Sequence, residues 1–120
     1  MKAEQHCMQR ELSKLLHDIQ EACNLVEEFS KDSTLEEYNS NAMLRSAIER
    51  QLMIIGEALN QTNQIDEEFI HSITDARRII NFRHVIVHGY ASLENDTVWG
   101  IVESDVPRLH EEISGIMNNF

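Results

Sequence analysis

The side chains best suited to chemistry are concentrated between residues 71 and 90. This segment holds three arginines and three histidines against one acid, Asp75, so its formal charge is +2 before the histidines are counted. The other 100 residues carry a formal charge of −13. An arginine fork binds phosphate oxygens, and a histidine gains or loses a proton near neutral pH. The segment therefore suggests a small site for an anion, although a chance cluster of solvated charges explains the charge equally well.

One arginine of this segment has an unusual position on its predicted helix. At ~100° per residue, a polar face contains Arg77, Asn81, His84 and His88. An apolar face contains Ala76, Ile79, Ile80, Ile86 and Val87, with Arg83 among them. A guanidinium on a face that packs into a core is costly unless something pairs with it. Three explanations stay open: an ion pair with an acid such as Glu57, escape of the charge to the edge of the bundle, and a functional role.

Helical periodicity predicts the elements that must position these residues. Apolar residues recur three and four apart in four long segments, at about residues 4–30, 42–62, 75–88 and 95–118. The connecting segments are short and polar, and residues 68–72 suggest one further turn. Four main helices with short connections predict an all-α class and an antiparallel bundle of four to five helices.

Local signals mark the ends of these helices. The candidate caps are Ser33 or Thr34 for a short turn through Tyr38, and Thr74 or Asp75 for the third long helix. Gly89 is expected to end that helix, and residues 63–67 and 91–96 are expected to be loops. Pro107 should kink or split the last helix near Ser104.

Composition excludes several functional classes. One proline and four glycines in 120 residues are too few for a fold of many strands. A net charge of −11 excludes a protein that covers nucleic acid over a broad basic face. The sequence shows neither a signal peptide nor a membrane span, so we expect a cytoplasmic protein with no membrane partner. Cys7 and Cys23 lie roughly 24 Å apart on one predicted helix, too far for a disulfide, and Cys23 is expected in the core.

The run RHVIVHGY at residues 83–90 resembles the R-x4-H-x-Y motif of HEPN-domain ribonucleases, and more specifically that of the HepT-like toxins. The segment AIERQLMIIGEA at residues 47–58 is similar to the second-helix signature of that branch. VWGIVESDVPRL at residues 98–109 resembles its closing helix. The resemblance covers about residues 42–110 and implies that residues 1–120 form a single HEPN domain.

The resemblance also implies a function. Members are helical bundles that form two-fold dimers and cut RNA, including tRNA, without a metal or another cofactor. On this chain it implies that Arg83 clamps the phosphate, that His88 is the general acid or base, and that His84 assists as the polar residue after the arginine. These roles suit the chemistry, because a guanidinium stabilises the extra charge of a phosphodiester transition state.

The spacing of Arg83 and His88 raises a geometric question. Five residues correspond to about 140° around a helix, so the two side chains do not share one face of a continuous helix. Either the helix unwinds before His88, or the same motif of a second subunit completes the site. A subunit interface at the apolar face would also account for the position of Arg83.

Tyr90 and two further arginines have roles of their own under this hypothesis. In HepT-like systems a small nucleotidyltransferase partner, MntA, adds AMP to the tyrosine of the motif and silences the toxin. A ring packed at the helix end is the alternative for Tyr90. Arg77 and Arg78 are candidate RNA-binding residues, and ordinary surface arginines are the alternative.

Two rival functions can be stated from the same residues. His84 and His88 have the i,i+4 spacing of zinc ligands, but neither a third ligand nor the glutamate of an H-E-x-x-H motif accompanies them. We therefore predict no metal site. The non-enzymatic rival is a HEPN-fold interaction module that binds a nucleotidyltransferase, and such a module would not need both Arg83 and His88. A further possibility is that the HEPN chain acts as the antitoxin of its pair.

Overall fold

The computed structural model describes the backbone of residues 2–87 and 94–119 and the side chains of residues 7–86 and 94–119. Within these ranges every regular element is helical, which confirms the all-α class. The elements are α1 (Lys2–Ser30), α2 (Leu35–Ser40), α3 (Ala42–Ile65), α4 (Glu67–His71), α5 (Ala76–Val87), α6 (Asn95–Gly100), a π-helical turn (Ile101–Asp105) and α7 (Val106–Met117). No helix in the described ranges is both long and apolar enough to cross a membrane.

The two longest helices, α1 and α3, pack along each other and supply much of the core. Their buried stripes are those that the periodicity predicts, and the completely buried members are Leu16, Ile19, Cys23, Val26, Ile48, Leu52, Ile55 and Leu59. Each large aliphatic side chain buried in this way contributes roughly 1.5–3 kcal/mol relative to its exposed state. α3 is therefore held firmly by α1, and it presents another side to α5, which packs on it.

Capping side chains begin the second and third helices, and the first of these caps, Thr34, is one of the two that the sequence predicts. The Thr34 hydroxyl accepts a hydrogen bond from the Glu37 amide at 3.2 Å and begins α2. Asn41 begins α3 in the same way, because its side-chain oxygen accepts from the Leu44 amide at 3.0 Å. Tyr38 of α2 is completely buried, and its ring lies 5.3 Å from that of Trp99 on α6. This contact fixes the connection between α1 and α3 against α6.

The loop predicted at residues 63–67 is wrong except at Asp66, because α3 continues to Ile65 and α4 begins at Glu67. The Asp66 amide donates to the Thr62 carbonyl at 2.8 Å, which completes the last turn of α3. The Asp66 carboxylate then accepts from the Phe69 amide at 3.2 Å and caps α4. One aspartate thus ends one helix and begins the next.

α5 is anchored at its beginning by α7 rather than by a capping side chain of its own. Asp75 precedes α5 in the left-handed region, with φ of 64°, and its carboxylate accepts a hydrogen bond from Arg108 at 2.6 Å. The Thr74 amide donates to the carboxylate of Glu112 at 2.9 Å. Asp75 thus holds the cap position predicted for α5, because its carbonyl accepts from the Ile79 amide at 3.1 Å, while its carboxylate and the Thr74 amide tie the helix to α7. Buried Ala76, Ile79 and Phe82 hold its apolar face in the core.

The last helical segment is split where Pro107 predicts. The Val106 amide donates to the Ile101 carbonyl five residues earlier, which is the bond of a π-helical turn. Pro107 has no amide hydrogen to donate, so the ordinary ladder cannot continue through it. The π-helical turn brings Ile101, Val102 and Asp105 into the interior.

Candidate active site

Arg83 of α5 lies directly over Gly56 of α3. A Cβ atom placed on Gly56 would lie 3.1 Å from Cγ and 3.3 Å from Cδ of Arg83, and closer still to its Cβ. Carbon atoms in ordinary contact are about 3.5–4.0 Å apart. Glycine at this position therefore allows the stem of Arg83 to lie on the backbone of α3.

The guanidinium of Arg83 pairs with the residue that follows Gly56. Its Nη2 atom lies 2.5 Å from Oε2 of Glu57, and the two side chains are 26% and 42% exposed. This ion pair confirms one of the explanations that the sequence left open for an arginine on an apolar face. The limited exposure of Arg83 places its guanidinium at the edge of the interior rather than in open solvent.

A groove of about 370 Å³ opens beside this pair. It runs between α1 and α3, and Arg83 of α5 forms part of its wall. Lys14 and Arg50 bring two more positive charges to it, while Leu15, Met53 and Ile54 contribute apolar surface. The guanidinium of Arg83 is thus positioned next to a concave surface large enough for part of a substrate.

Arg78, predicted as a candidate RNA-binding residue, contacts the π-helical turn. Its Nε atom lies 3.3 Å from Oδ2 of Asp105, whose side chain is only 4% exposed. Burial raises the pKa of Asp105, and the positive charge of Arg78 lowers it in part. A guanidinium that compensates a buried carboxylate has a structural role, and its proposed contact with RNA is not needed to explain its position.

The remaining predicted residues divide into two groups. Arg77 and His84 are exposed on α5, His84 directly after Arg83. His88 and Tyr90, and Gly89 between them, lie outside the described residues. Among the side chains that are described, no group of three or more His, Cys, Asp or Glu residues could hold a metal ion.

Three residues of this site were not singled out by sequence reasoning. Gly56 is an isolated glycine within a helical pattern, which is a signal for close packing. Lys14 and Arg50 are exposed charges on two different helices, and periodicity within one helix does not show that they border the same groove.

The chain matches the family model described as "Ribonuclease HepT-like" over residues 19–116. It is 34% identical to "Putative RNase MJ1380" of Methanocaldococcus jannaschii over 104 residues, which are 87% of this chain and 94% of the relative. It is 31% identical to "Probable ribonuclease HepT" of Thermococcus cleftensis over 104 residues, which are 85% and 92% of the two chains.

A further relative is longer than this chain. "Gamma-glutamylcyclotransferase and putative RNase MJ0434" of Methanocaldococcus jannaschii is 30% identical over 114 residues, and the match covers 94% of this chain but 50% of the relative. No solved structure matches the chain. The family match includes Arg83 on α5, the adjacent residues Gly56 and Glu57 on α3, and most of the split closing helix. The chain therefore belongs to the HepT-like ribonuclease family of helical HEPN domains.

Proposed function

We propose that this chain is a metal-independent endoribonuclease and the toxin of a HEPN/MNT toxin–antitoxin pair of type VII. The observation that carries the proposal is Arg83, whose guanidinium is held by Glu57 at the edge of a groove in a chain of a ribonuclease family. The other elements of the proposal are His88, the dimer, the AMP modification of Tyr90 and the extent of a single HEPN domain over residues 1–120. These come from the resemblance of the motif.

Arg83 suits the role of a phosphate clamp. A guanidinium has five N–H donors, and the contact with Glu57 involves Nη2. Nη2 carries two hydrogens, so the edge of the guanidinium that Glu57 does not occupy keeps two parallel N–H groups, which can bind two oxygens of a phosphodiester in the bidentate manner that arginine favours. Glu57 would keep the guanidinium at one angle before the substrate arrives, which reduces the cost of ordering it during the reaction.

His88 would move a proton in the cleavage step. The ribose 2′-oxygen forms a bond to phosphorus and loses its proton to a base. The bond from phosphorus to the 5′-oxygen breaks, and that oxygen receives a proton from an acid. The products are a 2′,3′-cyclic phosphate and a 5′-hydroxyl, so no water or metal is consumed. His88 would act as the base or as the acid, and His84 would assist as a neighbouring polar group.

A two-fold homodimer would provide both proton transfers, because the second subunit would bring a second His88 to the site. We therefore expect a monomeric variant to lose cleavage while keeping its helical content. Sedimentation of an interface variant, measured together with RNA cleavage, tests this expectation. An active monomer would contradict the composite site.

Tyr90 would be the point of control by an MntA-like nucleotidyltransferase. Transfer of AMP to its hydroxyl would add a phosphate and a base two residues from His88, and the added negative charge would repel RNA. Tyr90→Phe protein should stay active after incubation with such a partner and ATP, whereas wild type should lose activity and gain the mass of one AMP per chain. Silencing of the Tyr90→Phe variant by modification would contradict this role.

The decisive experiment measures cleavage of tRNA and total RNA in the presence of EDTA, using protein whose intact mass shows no AMP. Wild type is compared with Arg83→Ala and His88→Ala. The matched controls are Arg10→Ala and His71→Ala, which remove an exposed arginine and an exposed histidine elsewhere on the chain. We expect cleavage by wild type and both controls, with 2′,3′-cyclic phosphate ends, and none by the two site variants. If wild type is as inert as Arg83→Ala, the alternative of an inactive HEPN module that binds a nucleotidyltransferase is favoured.

A further inference from the structure

The groove between α1 and α3 contains more positive charge than the rest of this acidic protein predicts. Three of the ten lysines and arginines line it, Lys14, Arg50 and Arg83, against two acids, Asp18 and Glu57. Glu57 is already paired with Arg83. In the described part of the chain neither Lys14 nor Arg50 forms an ion pair, whereas Arg78 and Arg108 do. The groove therefore keeps two exposed cations outside any of these ion pairs, against one acid, Asp18, that is also outside them.

The wall between these cations is apolar. Leu15, Met53 and Ile54 are half-buried there, with part of each side chain facing the groove. Arg50 and Glu57 are seven residues apart on α3, which corresponds to roughly 10 Å along the helix. Because Arg83 pairs with Glu57, Arg50 and Arg83 lie at opposite ends of this stretch of the groove. An extended strand of RNA covers that distance in one or two nucleotides. Its phosphates would meet Lys14, Arg50 and Arg83, and an unstacked base would lie on the apolar wall.

We infer that this groove is a nucleotide subsite that holds a single-stranded segment of RNA next to the bond that is cut. The inference rests on the proposed function, since it takes Arg83 as the residue that clamps the reacting phosphate. A flexible thioether such as Met53 adapts to different bases, so the subsite should bind with little sequence preference. Duplex RNA cannot use it, because paired and stacked bases do not reach an apolar wall.

Binding of a non-cleavable strand tests the subsite separately from catalysis. The probe is a fluorescent single-stranded oligonucleotide that is 2′-O-methylated throughout, so that it lacks the 2′-hydroxyl nucleophile, and its affinity is measured by anisotropy at several salt concentrations. The site variants are Lys14→Gln and Arg50→Gln. Lys31→Gln removes the same charge from an exposed lysine beyond the end of α1 and is the matched control.

We expect each site variant to bind about threefold to tenfold more weakly than wild type, and to reduce the slope of log affinity against log salt by about 0.7. Lys31→Gln should stay within about twofold of wild type. The same sequence as a duplex should bind wild type at least tenfold more weakly, as a rough limit set by the loss of the base contacts. Met53→Ala should weaken the single strand and leave the salt slope unchanged.

Three results would overturn the inference. Equal weakening by Lys31→Gln would show that only total charge matters. Wild-type affinity in both site variants would show that RNA does not enter the groove. A change of oligomeric state in Arg50→Gln, seen by sedimentation without a change in RNA binding, would identify the groove as a contact between two copies of the chain.

The same variants separate this inference from the proposed function. If wild type and both site variants cleave tRNA equally well and bind the probe equally well, the proposed subsite is wrong and the proposed ribonuclease activity is supported. If wild type binds the probe through Lys14 and Arg50 but cleaves no RNA, the groove is an RNA-binding site and the proposed ribonuclease activity is wrong.

Discussion

Replacing Gly56 with alanine tests the helix contact that places Arg83. On an exposed helix this change stabilises by about 1 kcal/mol, because alanine is the better helix former. At Gly56 the new methyl group would lie 3.1 Å and 3.3 Å from Cγ and Cδ of Arg83, and closer to its Cβ. Overpacking of this kind costs about 1–3 kcal/mol. The balance is a loss of about 0–2 kcal/mol of stability.

The larger effect is expected on catalysis. Since the nearest atom is the Cβ of Arg83, rotation of the side chain cannot remove the clash, and α5 itself must move away from α3. A displacement of about 1 Å at a group that binds the reacting phosphate can reduce the rate by about 100-fold. We therefore expect Gly56→Ala to retain its fold and to lose most of its cleavage of tRNA.

Gly115 provides the matched control for this substitution. It lies on α7, where an added Cβ atom would meet nothing within 4 Å. Gly115→Ala should therefore be up to about 1 kcal/mol more stable than wild type and equally active. Urea unfolding gives the stability of each variant, and initial rates of RNA cleavage give the activity. Full activity in Gly56→Ala, with the same gain in stability as Gly115→Ala, would refute the argument that this contact positions Arg83.

Three further outcomes follow from the structure. Glu57→Gln should lower kcat about tenfold to 100-fold, because Arg83 loses its ion-pair partner. KM should not rise, because the substitution also removes an acid from the groove. Steady-state kinetics tests both expectations, and a rise in KM alone would contradict them. Burial raises the pKa of the Cys23 thiol to about 12. Alkylation at neutral pH should therefore modify only exposed Cys7 in the native protein, and both cysteines after unfolding. Modification of Cys23 in the native protein, detected by mass spectrometry, would contradict its burial in the core. Burial also raises the pKa of Asp105, so its protonated form is favoured by folding, and the stability it adds at low pH is lost as the pH rises through that pKa. The free energy of unfolding of wild type minus that of Asp105→Asn, from urea melts between about pH 4 and pH 7, should therefore decrease with pH, and an increase would show that the ion pair with Arg78 dominates.

The sequence predicted the helices better than the contacts between them. Periodicity placed the buried faces of α1 and α3, and the chemistry of Pro107 placed the split of the last helix, because both depend on residues close together in the chain. Glu57 was named as a partner for Arg83 because a half-buried guanidinium demands an acid. The contact of Gly56 with Arg83 could not be derived in the same way, since it depends on the distance between two helices.

The burial of Asp105 was not predicted from the sequence either. A carboxylate is normally placed on the exposed face of a predicted helix, but Asp105, the last residue of the π-helical turn, is buried, and Arg78 lies against it. Arg78 was accordingly predicted from its charge alone to contact RNA. The buried carboxylate of Asp105 thus changes the interpretation of Arg78, a residue on another helix.

The distribution of charge also explains how an acidic chain could act on an anionic polymer. At physiological ionic strength the field of an exposed charge is screened within about 8 Å, so the acids outside the groove repel only the parts of an RNA that lie against them. A long duplex laid over the surface would meet many of these acids at once. A single strand that enters the groove would meet three cations, Lys14, Arg50 and Arg83, against two acids. Of these acids, Glu57 is already neutralised by its ion pair with Arg83, which leaves Asp18. If RNA occupies the proposed subsite, the net charge of −11 would favour short unpaired substrates over long paired ones, and the same charge that excludes a general RNA coat would be a source of selectivity.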